Sequence, residues 1–242
     1  MNSVQTVRDI VIDDYRTADV FKRWGINYCC GGNLPLDEAC QLKQINKIAL
    51  EKDLEEATRN VQLSNNISYK DWPVEFLTDY IVYVHHTYLK TAIQNLLPLM
   101  DNFVNSHLKK YPYLAEIKNI FSDLCTVLET HTAYEEESIF PYVKQISNTY
   151  SRKEVYGSLF VRTMSKPINE VIQREHDRIA SLVQQLREKT NDYTFTPDAC
   201  ANHQVIYRKL KEFDADLVQH KHLENNFLFP KALQMEKSLL SI

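Results

Sequence analysis

The chain has 242 residues, a formal net charge of −4, 44% apolar and 25% charged side chains, a balance typical of globular proteins. That charge offers no basic face for nucleic acid, the start MNSVQTVRDIVIDDY lacks the apolar core of a secretion signal, and no run of about twenty apolar residues marks a membrane span. Only 4 glycines and 8 prolines argue for long helices against a many-stranded β fold, and 5 cysteines, odd and sparse, fit a reducing, cytoplasmic compartment.

Residues 1–66 read as a small helical domain. TADVFKRW (Thr17 to Trp24) is expected to form a brief helix capped by Thr17. The loop NYCCGG (Asn27 to Gly32) follows. Pro35 suits the first position of a second helix, with Asp37 and Glu38 in its favourable first turn. INKIALEKDLEEATRN (Ile45 to Asn60) reads as a third, and the polar QLSNNISYKD (Gln62 to Asp71) as a linker.

From residue 67 to 242 the texture changes to long segments with apolar positions spaced 4,3,4,3, the period of bundled helices. The first carries Val82, His86, Leu89, Ile93, Leu96, Met100 and Phe103. The second carries Ile117, Phe121, Leu124, Leu128, His131, Glu135 and Tyr142, with Ser138 filling the register. Ile172, His176, Ile179, Val183 and Leu186 define the third; Ile206, Leu210, Phe213, Leu217, His220, Glu224 and Phe227 define the fourth. The stretches HLKKYPY, QISNTYSRKEVYGS and EKTNDYTFTPD read as the loops between them. The expected fold is all-α: an up-down four-helix bundle preceded by the small helical domain.

Six polar residues stand where this spacing demands apolar ones: His86, His131, Glu135, His176, His220 and Glu224. They also repeat, since 220 − 131 and 224 − 135 both give 89 and 176 − 86 gives 90. The first helical hairpin is thus echoed by the second. A buried carboxylate needs a partner or a metal, and the i,i+4 spacing of each His-x-x-x-Glu puts imidazole and carboxylate on one helix face. An internal salt-bridge network is the competing reading. Four imidazoles and two carboxylates suit first-row transition metals, with two glutamates able to bridge two ions, and three ligands per ion leave open positions. A di-iron centre is the expectation. The spacing differs from the Glu-x-x-His of ferritin-like bundles.

Other candidates carry less. His85 lies off the seam and reads as a surface residue or as a support for the ligands. His107 is in register but 21 residues beyond His86, roughly 30 Å along a helix. His203 and His222 read as solvent-facing. Glu136, Glu137 and Asp177 could orient ligand imidazoles or simply form a solvated face. Phe140-Pro141 and Phe229-Pro230 should kink or restart their helices and close the core with an aromatic ring.

Adjacent Cys29 and Cys30 could form only a strained disulfide with each other, whereas two thiolates can bind soft metals or exchange with another thiol. Asp37 and Glu38 oppose thiolate formation, so a redox or metal-transfer role stands beside that of a packed loop. Cys40, Cys125 and Cys200 read as small buried apolar residues.

Residues 17–40, TADVFKRWGINYCCGGNLPLDEAC, resemble the short N-terminal domain of the iron–sulfur cluster repair di-iron proteins. HHTYLK, HTAYEEESIFP, REHD and HKHLENNFLFP are similar to that family's hemerythrin-like domain. The resemblance implies a cytoplasmic bacterial protein with two non-haem iron ions in a carboxylate-bridged centre. By motif, the iron ligands would be His86, His131, Glu135, His176, His220 and Glu224, with Glu135 and Glu224 bridging; Cys29 and Cys30 would be the redox or iron-transfer thiols. It further implies a stress-response role, restoring iron–sulfur clusters damaged by nitric oxide or oxidants. The implied partners are damaged iron–sulfur proteins or apo cluster acceptors, with nitric oxide or oxygen species as small ligands and a homodimer as one assembly open to it. A di-iron nitric oxide or peroxide reductase and an oxygen or nitric oxide sensor are the alternatives. Oxygen-carrying hemerythrins use more histidines and another carboxylate pattern, which disfavours oxygen storage.

Overall fold

The structure, a computed structural model, describes residues 5–29, 32–59, 68–166, 168 and 172–241. The chain forms two compact units: Met1–Asn65 with Tyr193–Lys211, and Asn66–Asp192 with Glu212–Ile242. Among the described residues the elements are helices, with one isolated extended bridge between Thr6 and Pro35.

The first unit holds α1 (Val7–Asp13), α2 (Thr17–Arg23), α3 (Leu36–Lys43) and α4 (Lys47–Thr58). The sequence reading missed α1. Thr6 accepts from the Asp9 backbone amide while Asp9 reaches back to the Thr6 amide, a reciprocal cap that starts a helix with little intrinsic propensity. Thr17 is not the expected cap: its hydroxyl donates to Asp14 O at 2.6 Å from inside the helix. Gly25 ends α2 with φ +66, and the Ile26 amide returns to Phe21 O, a left-handed stop that favours glycine. Asn46 caps α4 through the Ala49 amide. Val11, Val20, Phe21, Leu50 and Leu54 are fully buried. The segment 193–211 is fastened within this unit by Lys209, which pairs with Asp19 at 2.6 Å, and by Arg208, which donates to Ile12 O. The expected linker falls largely on 60–67, outside the described residues; Tyr69–Asp71 forms a single tight turn.

The second unit is the four-helix bundle. Its first helix is α5 (Val74–Tyr80) continuing into α6 (Thr87–His107), and its second is α7 (Leu114–Tyr134) continuing into α8 (Phe140–Ser151). α10 (Gln173–Thr190) is the third, and α11 (Ala201–Leu223), which begins in the first unit, continues into α12 (Phe229–Leu240) as the fourth. An additional helix, α9 (Gly157–Met164), occupies part of an expected loop and packs on α8 and α12. α7 packs against α6 and α10, and α8 against α5 and α12.

Three of these continuous helices are joined through π-helical turns, at Ile81–His86, Glu135–Ile139 and Glu224–Leu228. A π turn inserts one extra residue into the helical period. Beyond each, the buried seam therefore slips by one. Ile139 and Leu228 are fully buried where Ser138 and Phe227 were expected, and Ile81 replaces Val82. Pro141 and Pro230 fall in the first turn after a π turn, so the helix runs on through Phe-Pro instead of restarting. The core below the turns contains Leu77, Ile81, Ile139, Val143, Ile146, Leu223, Leu228 and Ala232, each leucine or isoleucine worth about 1.5–3 kcal/mol when withdrawn from water. On the other side, Phe121 and Phe213 meet edge to face at 5.6 Å.

Candidate metal centre

All six seam residues are buried, Glu135 and Glu224 completely, and their polar atoms converge. His86, Glu135, His220 and Glu224 form one set of donor atoms within 4.8 Å of one another. His131, Glu135, His176 and Glu224 form a second. The glutamates belong to both sets, and each set takes one imidazole from each hairpin. The π turns explain the placement: His86 ends one, and Glu135 and Glu224 begin the others, where the widened turn aims a side chain at the axis.

The imidazoles present their Nε2 atoms inward. His86 Nε2 lies 3.1 Å from His220 Nε2, and His176 Nε2 lies 3.3 Å from His131 Nε2. His220 Nε2 is 2.8 Å from Glu224 Oε1 and His176 Nε2 is 3.3 Å from Glu224 Oε2. His86 and His131 each approach Glu135 Oε2 to 3.4 Å. Ring nitrogens so close satisfy each other only if one carries a proton; as facing lone pairs they require a cation.

Outside the cluster, Nδ1 atoms are held in place. His86 Nδ1 donates to Glu136 Oε1 at 2.8 Å, and Lys90 donates to both oxygens of that carboxylate. His131 Nδ1 donates to Glu175 Oε2 at 2.7 Å, and His176 Nδ1 to Asn225 Oδ1 at 3.0 Å. Such partners fix the tautomer that leaves the Nε2 lone pair facing inward. Glu136 was among the expected supports. Glu175 and Asn225 were not, although the repeat points to Asn225 at 136 + 89. Glu137 is exposed, and Asp177 accepts from Gln173. Phe140 stacks on His86 at 5.6 Å and Phe229 lies 6.4 Å from His176, so the Phe-Pro aromatics close the site.

Burial governs the electrostatics. It pushes the Glu135 carboxyl well above the usual range, and the Glu224 charge adds to this. Burial acts the same way on Glu224, but His220 and His176 outweigh it and hold that carboxyl well below the usual range. Burial, with the His220 charge, brings His86 down to about 4, and burial also lowers His131. The desolvation that would raise Glu136 is outweighed by Lys90 and His86. Among the described residues neither oxygen of Glu135 nor Oε2 of Glu224 has a hydrogen-bond partner, although orphaned buried carboxylate oxygens are costly. Four imidazoles and two doubly shared carboxylates fit a pair of first-row transition-metal ions.

The remaining histidines stand apart. His85 is buried, donates from Nδ1 to Asp216 at 2.9 Å, and lies parallel to His220 at 5.7 Å. His107 Nδ1 donates to Phe103 O. His203 is half-buried against Tyr207, and His222 is exposed beside Asn226.

In the first unit, Cys29 is half-buried and its amide donates to Asn27 Oδ1 at 2.9 Å. Cys30 and Gly31 lie outside the described residues. Gly32 accepts from the Arg8 amide and crowds the Tyr28 carbonyl so closely that a Cβ would collide with it. Cys40 and Cys125 are buried, whereas Cys200, expected to be buried, is only half so.

Comparison with known proteins agrees with this geometry. Residues 78–232 match the family described as "Hemerythrin HHE cation binding domain", and residues 3–58 match "Domain of Unknown function (DUF542)". The chain is 28% identical over 225 residues to the "Iron-sulfur cluster repair protein ScdA" of Staphylococcus haemolyticus, covering 93% of this chain and 96% of that one. It is 29% identical over 227 residues to the protein of the same name in Staphylococcus epidermidis, with the same coverage. Against the "Iron-sulfur cluster repair protein YtfE" of Citrobacter koseri it is 27% identical over 235 residues, covering 96% and 98%. This chain belongs to the hemerythrin HHE cation-binding family and carries the DUF542 domain ahead of it.

Proposed function

We propose that this chain is a cytoplasmic di-iron protein that repairs iron–sulfur clusters damaged by nitric oxide or oxidative stress, by donating iron to them. The observation that carries this reading is the double donor set joined at Glu135 and Glu224. The names of its relatives along nearly the whole chain support the cluster-repair role.

One ion would be held by His86 and His220, the other by His131 and His176, with Glu135 and Glu224 spanning both. Bound iron would supply exchangeable metal for a damaged cluster and open positions for a small ligand such as nitric oxide. The chain's own residues prepare the place. Glu136, Glu175 and Asn225 hold three imidazoles in the tautomer that presents Nε2 inward. Phe140 and Phe229 keep water from the ring faces. The surrounding burial strengthens each electrostatic contact. In the small domain, taken as residues 1–66 ahead of the bundle at 67–242, Cys29 and Cys30 would relay iron to the recipient, since thiolates are ligands for it.

Replacement of both Cys29 and Cys30 by Ser tests the reading. The variant should retain its iron but lose the ability to restore a damaged iron–sulfur enzyme; undiminished restoration would remove the thiols from the mechanism. Many turnovers of nitric oxide or peroxide with an electron donor would identify a reductase instead. Reversible ligand binding with no iron passed to an apo acceptor would identify a sensor.

A further inference from the structure

The two hairpins repeat, and so do the groups behind the ligands. Glu136 stands behind His86 and Asn225 behind His176, and 225 − 136 gives the same 89 that separates His131 from His220. Glu175 stands behind His131. Its counterpart, with 175 − 85 giving the same 90 that separates His86 from His176, is His85.

His85 cannot serve as Glu175 does. Its ring lies flat over His220, with planes 5° apart, instead of pointing an acceptor at it. Asp216, one turn before His220, could supply a carboxylate, but its Oδ1 is committed to His85 Nδ1 at 2.9 Å. Among the described residues His220 Nδ1 is buried with no hydrogen-bond partner, and Asp216 Oδ2, also unpartnered, does not reach it. One half of the centre, His131 and His176, has both imidazoles anchored; the other, His86 and His220, has one.

We propose that the two halves hold their ions unequally, and that the His86–His220 half is the one that gives up its metal, with His85 as the residue that sets the difference. This rests on the two-ion reading above. An anchored Nδ1–H raises the basicity of the ligand and fixes its ring; loss of such a partner typically weakens metal affinity about 10–100-fold. The ion of the singly anchored half is therefore the exchangeable one, and the other stays to hold Glu135 and Glu224 in place. A donor protein built this way can deliver one ion without dismantling its site.

The test is release of iron(II) from the anaerobically loaded full chain to an excess of a ferrous chelator, followed optically. Two phases of equal amplitude are expected, their rates separated by about 10-fold or more. Glu175→Ala leaves each half with a single anchor, so it should accelerate the slow phase until the two merge. Glu136→Ala strips the weaker half and should accelerate only the fast phase. His85→Glu, which restores the missing carboxylate, should slow the fast phase. A general loosening of the fold would accelerate both phases in every variant. A single phase from the native protein carrying two ions, or acceleration of the fast phase alone by Glu175→Ala, would overturn the proposal while leaving the two-ion centre intact. Binding of fewer than two ions would overturn both.

Discussion

Glu135 and Glu224 sit at equivalent points of the two hairpins and belong to both donor sets, yet their surroundings bias them in opposite directions. Burial and the neighbouring carboxylate drive Glu135 towards its neutral form, while His220 and His176 keep Glu224 charged. Among the described residues no hydrogen bond reaches either oxygen of Glu135 or Glu224 Oε2, whereas Glu224 Oε1 pairs with His220 at 2.8 Å.

The first prediction follows from that difference. Glu135→Leu, of similar volume, removes a buried carboxyl whose oxygens receive no hydrogen bond among the described residues and should stabilise the metal-free protein by about 1–3 kcal/mol. The same variant should lose the ability to hold two ions. Denaturant unfolding in the presence of a chelator, paired with metal analysis, checks both effects; a destabilised metal-free variant would show that Glu135 contributes hydrogen bonding the structure does not display.

The fold and the convergence of six buried polar residues were legible because such residues break an apolar register conspicuously. What the register hid was its own slippage. A 4,3,4,3 count assumes an unbroken α-helix, and the π turns at Glu135–Ile139 and Glu224–Leu228 put Ile139 and Leu228 in the core in place of Ser138 and Phe227. No local propensity announces such a turn; the gain from aiming the glutamates inward is a tertiary effect. Glu175 and Asn225 were hidden differently, as ordinary polar residues on a charged helix face, visible only when Glu136 is carried through the repeat. α1 was missed because its helix depends on the reciprocal Thr6–Asp9 cap more than on propensity.

A second prediction concerns alkaline pH. Burial, with the Glu129 charge, pushes the Cys125 thiol up to about 12, against about 8.5 for a thiol in the unfolded chain. The folded pKa is raised, so the contribution is complete below about pH 8.5 and is lost as pH rises through the folded value. Between those limits the unfolded state gains on the folded one by about 1.4 kcal/mol per pH unit. Cys125→Val should remove that dependence, and the stability difference between the two proteins should change in its favour from pH 8.5 upward. Measured by denaturant unfolding across this range, a constant difference would contradict the burial account. Iodoacetamide at pH 8 should likewise leave Cys125 unlabelled until the chain is unfolded.

A third prediction addresses the Cys-Cys-Gly-Gly loop. A Cβ on Gly32 collides with the Tyr28 carbonyl, a backbone atom that no side-chain rotation can move aside. Gly32→Ala should therefore destabilise the loop by about 1–3 kcal/mol and increase the rate at which Cys29 is alkylated, with iron content of the bundle unchanged. An alkylation rate equal to that of the native protein would mean the loop accommodates the methyl group freely.

The central claim is that six seam residues hold two metal ions, and metal content measures it directly. The native protein, purified anaerobically, should carry about two irons per chain, and a His131→Ala, His220→Ala double variant, which removes one imidazole from each donor set, should lose them while remaining helical. Little metal in a folded native protein, or full retention in the variant, would mean that these residues form a buried polar network, leaving the repair reading to rest on family likeness alone.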